Sequence, residues 1–172
     1  MIQSTIDTKE YDIRIKRFRD INVSSHFFDS FRKYYGSYYS EWVKKKYMDP
    51  VYLVEDNNNN LIAFMKLKKE NEDENYSDIN PVMPPSRRLK ISSFKVAWGN
   101  YGLSLKMMDI AISQAIFNNI SEIYGTIPIN ADYKSGLVNF LHRYGFTMHG
   151  IKKSHGIVEE VYIMHLNSVL NS

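Results

Sequence analysis

Residues 87–118 read RRLKISSFKVAWGNYGLSLKMMDIAISQAIFN, and the fold turns on this stretch. Leu89, Ile91, Ser93, Phe94 and Val96 carry the β-branched and aromatic weight of a half-buried strand, which stops at Ala97. Gly99, Asn100 and Gly102 then make a short turn that can take positive φ and let a ligand come close to the backbone. In the helix that follows, Leu103, Met107, Ile110 and Ala111 form one apolar stripe and Leu105, Met108, Ile112 and Ala115 a second, so it packs on both sides. Its polar strip is Ser104, Asp109 and Ser113. The first turn of a helix leaves N–H groups without intrahelical partners and carries partial positive charge. Strand, glycine turn and helix together make an anion site, for which a phosphate is the natural guest.

Working outward from this unit, Glu122 to Ile127 is a strand stopped by Pro128, which makes a right-handed βαβ crossover with parallel strands. Leu137, Phe140, Leu141 and Tyr144 mark an amphipathic helix closed by Gly145. Phe146–Ile151 and Val158–Leu166 end the chain as a hairpin around Lys152 to Gly156. Towards the N-terminus, Asp12 to Phe18 alternates as an opening strand. Two short helices follow, divided at Gly36 and rich in aromatics: Phe27, Phe28, Phe31, Tyr34, Tyr35, Tyr38, Tyr39, Trp42 and Tyr47. Phe27, Phe31 and Trp42 read as core. The tyrosines crowded between Tyr34 and Tyr39 exceed what one helical face can bury, which puts some phenols on a binding surface. Val51–Glu55 and Leu61–Leu67 are strands of a hairpin whose tip is Asp56 and Asn57 to Asn60. Residues 69–85, KENEDENYSDINPVMPP, have no periodicity and read as a mobile acidic and proline-rich loop.

A chain of 172 residues suits a single domain, 1–172, with a core of its own. The absence of Cys excludes disulfides, thiolate metal sites and a cysteine nucleophile. His142, His149 and His155 match no metal-ligand spacing, and no metal is expected. No apolar run is long enough to span a bilayer and the N-terminus has no signal-peptide pattern, so a cytoplasmic protein is expected. A net charge of +3 is mild and does not by itself indicate nucleic acid.

This element order resembles that of the GNAT family of acetyl-CoA-dependent N-acetyltransferases. Phe94-Lys95-Val96 leading into Gly99-Asn100-Tyr101-Gly102-Leu103-Ser104 resembles the family's pyrophosphate loop, Q/R-x-x-G-x-G/A. Phe140-Leu141-His142-Arg143-Tyr144-Gly145-Phe146 resembles its late F-Y-x-x-x-G-F signature. The resemblance covers residues 12–166. It implies an α+β domain whose central sheet, mixed but mostly antiparallel, has about seven strands and is flanked by about four helices. It implies an acyltransferase that moves the acetyl group of acetyl-CoA to a primary amine. The backbone N–H groups of Gly99, Asn100, Tyr101, Gly102, Leu103 and Ser104 would hold the pyrophosphate of coenzyme A, and Phe94 and Val96 would pair with the pantetheine arm. Asn130 and Lys134 are the alternatives for a further pantetheine contact.

Four departures from the family pattern matter. Gly99 stands where Gln or Arg is usual, and Ser104 where Gly or Ala is usual. Leu141 occupies the position of the tyrosine that protonates the leaving thiolate in many members, and leucine has no proton to give. The strand before Val96 offers no carboxylate base. Tyr133, just before the late helix, is the expected catalytic acid in place of Leu141. Two other readings stand beside the enzyme: a catalytically silent module of the same fold that binds acyl-CoA or a partner, and a nucleic-acid-associated protein using Lys44 to Lys46, Arg87, Arg88 and the tyrosines. Neither a membrane partner nor a resident cofactor other than acetyl-CoA is expected, and a homodimer is left open.

Overall fold

The computed structural model describes residues 11–166. One sheet of eight strands runs through it: β1 Arg14–Arg17, β2 Pro50–Glu55, β3 Leu61–Glu70, β4 Ile79–Asn80, β5 Arg88–Val96, β6 Glu122–Pro128, β7 Thr147–Ser154 and β8 Ile157–His165. Their spatial order is β1-β2-β3-β5-β6-β8-β7-β4. Every neighbouring pair is antiparallel except β5 and β6, which are parallel because α3, Tyr101–Phe117, carries the chain from one to the other. The remaining helices are α1 Asp29–Tyr35, α2 Ser37–Lys45 and α4 Lys134–Arg143. The expected α+β architecture with four helices is thus present, with eight strands in place of seven.

The two faces of the sheet have separate cores. On one, α3 and α4 bury Leu103, Met107, Met108, Phe140 and Leu141 against Met65, Leu89, Ile123 and Met164. On the other, α1 and α2 set Phe28, Phe31, Tyr39 and Val43 against Val51, Leu53 and Phe64. Here the aromatic density is resolved: Phe31 and Tyr39 stack at 5.6 Å, while Phe18 meets Trp42 edge-on at 5.5 Å. Alternation along β5 assigns its side chains accordingly. Leu89, Ile91, Phe94 and Val96 join the α3 side, and Lys95, over the rings of Phe27 and Phe31, lies on the α1 side.

The segment 69–85 corrects the expectation of a mobile loop. The third strand runs on to Glu70, and β4 pairs with β7 through Ile79↔Lys152 and Asn80↔Ile151. Tyr76, Ile79 and Met83 are buried against Tyr124, Val161 and Ile163, forming a third apolar cluster. Glu70 is turned inward, where it accepts hydrogen bonds from Tyr76 Oη at 3.0 Å, Tyr124 Oη at 2.5 Å and Lys68 Nζ at 3.1 Å. Arg88 is buried too, donating from Nε to Glu122 at 2.5 Å and from Nη1 to the Pro84 carbonyl at 2.8 Å. A buried charge is tolerated only when paired, and both of these are. Arg88 is thereby withdrawn from the surface that the nucleic-acid reading gave it.

Candidate active site

The parallel pair β5 and β6 is joined only over Leu89↔Ile123, Lys90↔Tyr124 and Ile91↔Gly125. Beyond that point the strands part. The cause is local: on its other edge β5 shifts register against β3 between Lys66↔Ser93 and Leu67↔Ile91, so Ser92 is an extra residue in a bulge that bends the strand away. From Ser93 to Val96 β5 then pairs with β3 alone among the described residues, which leaves its β6-facing edge open.

A cavity of about 360 Å³ fills the gap and passes through the sheet. Ile91, Ser92, Ser93 and Phe94 form one wall and Gly125, Thr126 and Ile127 the other. Met108, Leu137, Leu141 and Phe146 close it on the α3 and α4 side, and Tyr35, Tyr38, Tyr39 and Trp42 on the α1 and α2 side. Phe94 lines it and stacks on Phe140 at 5.8 Å; Val96 packs into the core beyond it.

The glycine turn lies at the open end of the gap, where β5 runs into α3. Gly99 has φ +85°, a conformation in which a Cβ would be strained. Asn100 precedes α3 without capping it; its side-chain amide donates back to Ala97 O at 3.1 Å and Trp98 O at 3.3 Å. Of the backbone donors expected there, the Asn100 N–H goes to Ala97 O at 3.3 Å and the Leu103 N–H to Asn100 O at 3.0 Å. The N–H groups of Tyr101 and Gly102 have no partner among the described residues. Ser104 is half-buried in the same first turn. Arg143, which sequence reasoning passed over, donates from Nη1 to Tyr101 Oη at 3.0 Å and sets a cation beside the turn. Its position in the last turn of α4 gave no signal, because a basic residue there reads as a helix end.

Tyr133 lines the cavity. Tyr34 meets its ring edge-on at 5.6 Å, and Tyr34 Oη accepts from the Asp132 N–H at 3.0 Å, which fixes the loop before α4. Burial first, then the neighbouring Tyr34, Glu159 and Asp132, push the Tyr133 phenol up to about 12. Asn130 and Lys134 are not brought to the cavity. Asn130 is exposed, and Lys134 is paired with Glu160 at 2.9 Å, where Glu160 also accepts from Tyr162 Oη at 2.7 Å.

Of the charged groups that line the cavity and that the sequence did not single out, Glu159 and Lys90 lie deepest between the strands. Glu159, on β8, is buried and accepts at Oε1 from Tyr35 Oη at 2.6 Å and Thr126 Oγ1 at 2.9 Å. Lys90, on β5, lies over the Tyr124 ring at 5.7 Å; burial and the nearby Lys152 lower its ammonium to about 8. Each looked like the wet residue of an alternating strand, and only the register and the parted strands turn them inward. No cluster of three or more potential metal ligands occurs among the described residues, and no helix there is long and apolar enough to cross a membrane.

No family model matches the chain, and no curated protein matches its sequence. Solved structures do match. The chain is similar to Chaetomium thermophilum Naa20 in complex with a bisubstrate analogue, at 14% identity and TM-score 0.63 over 93% of this chain and 89% of that one. It is similar to a GNAT-family acetyltransferase from Listeria monocytogenes, at 19% identity and TM-score 0.57 over 91% and 95%. A third is a GNAT-family acetyltransferase from Elizabethkingia anophelis with acetyl-CoA bound, at 14% identity and TM-score 0.54 over 90% and 98%. The fold is that of the GNAT acetyltransferases.

Proposed function

We propose that this protein is an N-acetyltransferase that moves the acetyl group of acetyl-CoA to a primary amine. One observation carries the reading: the parted β5 and β6 open a cavity through the sheet whose α3 side leads to an uncapped helix N-terminus. The diphosphate of coenzyme A suits the free N–H groups at Tyr101 and Gly102 with Arg143 beside them, and the amides of the pantetheine arm suit the open edge of β5 from Ser93 to Val96. The thioester then lies among Phe94, Leu141 and Tyr133, and the amine enters from the tyrosine-lined side. That a neighbour of the same fold was solved with acetyl-CoA bound supports acetyl-CoA as the ligand.

In this reading a neutral amine attacks the thioester carbonyl, and the C–S bond breaks as the amide forms. Tyr133, on the cavity wall and protonated at neutral pH as any phenol is, supplies the proton that the departing thiolate takes up. Glu159 takes the proton that the ammonium loses to become the neutral amine, its Oε2 having no protein partner among the described residues, and the second nitrogen proton, released as the adduct collapses to the amide, returns to the Tyr133 phenolate. The reading does without the usual tyrosine at the position of Leu141 and without a carboxylate on β5.

Titration calorimetry with acetyl-CoA tests it, followed by a screen of amines for release of free thiol. A Cβ at Gly102 meets nothing within 4 Å, so Gly102→Glu keeps the fold while placing bulk and negative charge at the diphosphate. Binding of acetyl-CoA should be lost. A folded Gly102→Glu protein with unchanged affinity would move the ligand site elsewhere, and tight acetyl-CoA binding with no acceptor turned over would leave a binding module in place of an enzyme.

A further inference from the structure

The α2 side of the cavity carries far more positive charge than its carboxylates balance. Five lysines line it, Lys45, Lys46, Lys68, Lys90 and Lys152, against a single acid, Glu159. Lys68 is satisfied by Glu70 at 3.1 Å and Glu74 at 2.8 Å, and Lys152 reaches Asp78 only at 3.7 Å. Lys45, Lys46 and Lys90 have no carboxylate within ion-pair distance among the described residues. Lys90 is the telling one. It sits at the apex of the parted strands, half-buried over the Tyr124 ring, with Lys68 and Lys152 as like charges nearby and no carboxylate in ion-pair contact among the described residues. An ammonium left unpaired in such a place is costly, and the cost is recovered when an anion arrives.

The phosphates of coenzyme A do not fill this role. Lys90 lies on the sheet face opposite α3, since Leu89 joins the α3 core and Lys90 pairs in register with Lys68. The glycine turn is nine residues further along, roughly 30 Å of extended chain at about 3.3 Å per residue. The unpaired charge therefore faces the acceptor.

We propose that the acceptor is a small zwitterionic amine, one that carries a carboxylate or phosphate a short chain away from its amino group, with Lys90 and Lys152 holding the anion and Glu159 facing the amine. Lys152 stands directly opposite Glu159 in the β7–β8 register, so a cation and an anion are presented side by side to a dipolar guest. Tyr38 and Trp42 bound the space from the α2 side and limit its size. The same charges repel polyamines and other polycations. This inference rests on the transferase reading for its acceptor but makes its own claim about charge.

The test uses matched acceptors with the intact protein and acetyl-CoA, read as free thiol. Amino acids are compared with their amides and O-phosphoethanolamine with ethanolamine, with spermidine as the polycation; the first two pairs separate carboxylate from phosphate. The anionic member of at least one pair should have a kcat/KM roughly tenfold or more above its neutral twin, the worth of one charge-assisted hydrogen bond. Lys90→Met and, independently, Lys152→Met should raise KM for that anionic acceptor about as much, leave its neutral twin unchanged and leave acetyl-CoA affinity intact. Preference for the amides or for spermidine would overturn the proposal. So would a Lys90→Met protein that loses kcat equally on both members of a pair, which would make Lys90 a proton carrier. Should no amine be turned over, titration of the CoA-loaded protein with the same panel decides. Anionic amines that bind, and stop binding in Lys90→Met, sustain the charge assignment while removing the transferase reading; no binding by any anionic amine removes the assignment itself.

Discussion

Tyr133 is protonated at neutral pH, as an ordinary phenol also is, and it is its place on the cavity wall that makes it the candidate donor to a departing thiolate. If it donates in the reaction, Tyr133→Phe should lower kcat by roughly 100-fold or more, within the usual range for general acid catalysis, with KM for acetyl-CoA little changed. Steady-state kinetics at fixed acceptor would show it, and a drop below about threefold would remove Tyr133 from the mechanism. This residue was legible in the sequence only through its place between β6 and α4. Glu159 was not legible at all. In IVEEVYIMH it is one of two adjacent glutamates, and nothing local says that Glu159 is buried against Tyr35 and Thr126 while Glu160 pairs with Lys134. The face each takes depends on register against β6, which is a long-range property.

The elements divide in the same way. Strand, turn and helix from Arg88 to Phe117 were legible because each carries a strong local signal: alternation, paired glycines and a continuous apolar helix. The strand β4 was invisible, since two residues have no period and the surrounding acids and prolines imitate a disordered segment. What lets it dock so closely is a glycine on its partner strand. A Cβ at Gly150 would lie well inside 3.0 Å of the Asn80 carbonyl and of Pro81 Cδ. Because the opposing atoms are backbone and a proline ring, they cannot turn aside. Gly150→Ala should therefore cost about 1–3 kcal/mol, the range of an overpacked contact, and should open residues 71–85 to limited proteolysis while β5 and α3 stay protected. Wild-type cleavage rates in that segment would show that β4 docks by some other contact.

Across the whole molecule, the lysine at the apex of the parted strands ties function to stability. Its ammonium, lowered to about 8 by burial and by Lys152, faces Lys68 and Lys152 as like charges and Glu70 and Glu159 as opposite ones. An unfolded lysine titrates near 10.5. Between those values the unfolded chain holds a proton that the folded chain has shed, so this group makes stability rise with pH from about 8 to about 10. Above that the buried tyrosines act the other way, because burial raises Tyr35 and Tyr124 and unfolding would let them ionise. Other groups, Lys66 and Lys95 among them, shift in both proteins alike, so urea unfolding at pH 8 and pH 10 should show wild-type stability gaining on that of Lys90→Met as pH rises; parallel profiles would mean that Lys90 is solvated like a surface lysine.

The chain has two tryptophans, and the fold separates them: Trp42 lines the cavity on the α2 side, and Trp98 stands outside it at the glycine turn. Trp98 is 99% exposed just ahead of Gly99, while Trp42 is half-buried on the tyrosine-lined side against Phe18. Their emission should separate by colour, the first water-like and the second shifted to the blue. Two optical probes thus stand apart, one at the glycine turn and one on the cavity wall, and single Trp→Phe variants would let the arrival of added acetyl-CoA or an amine be timed without a label.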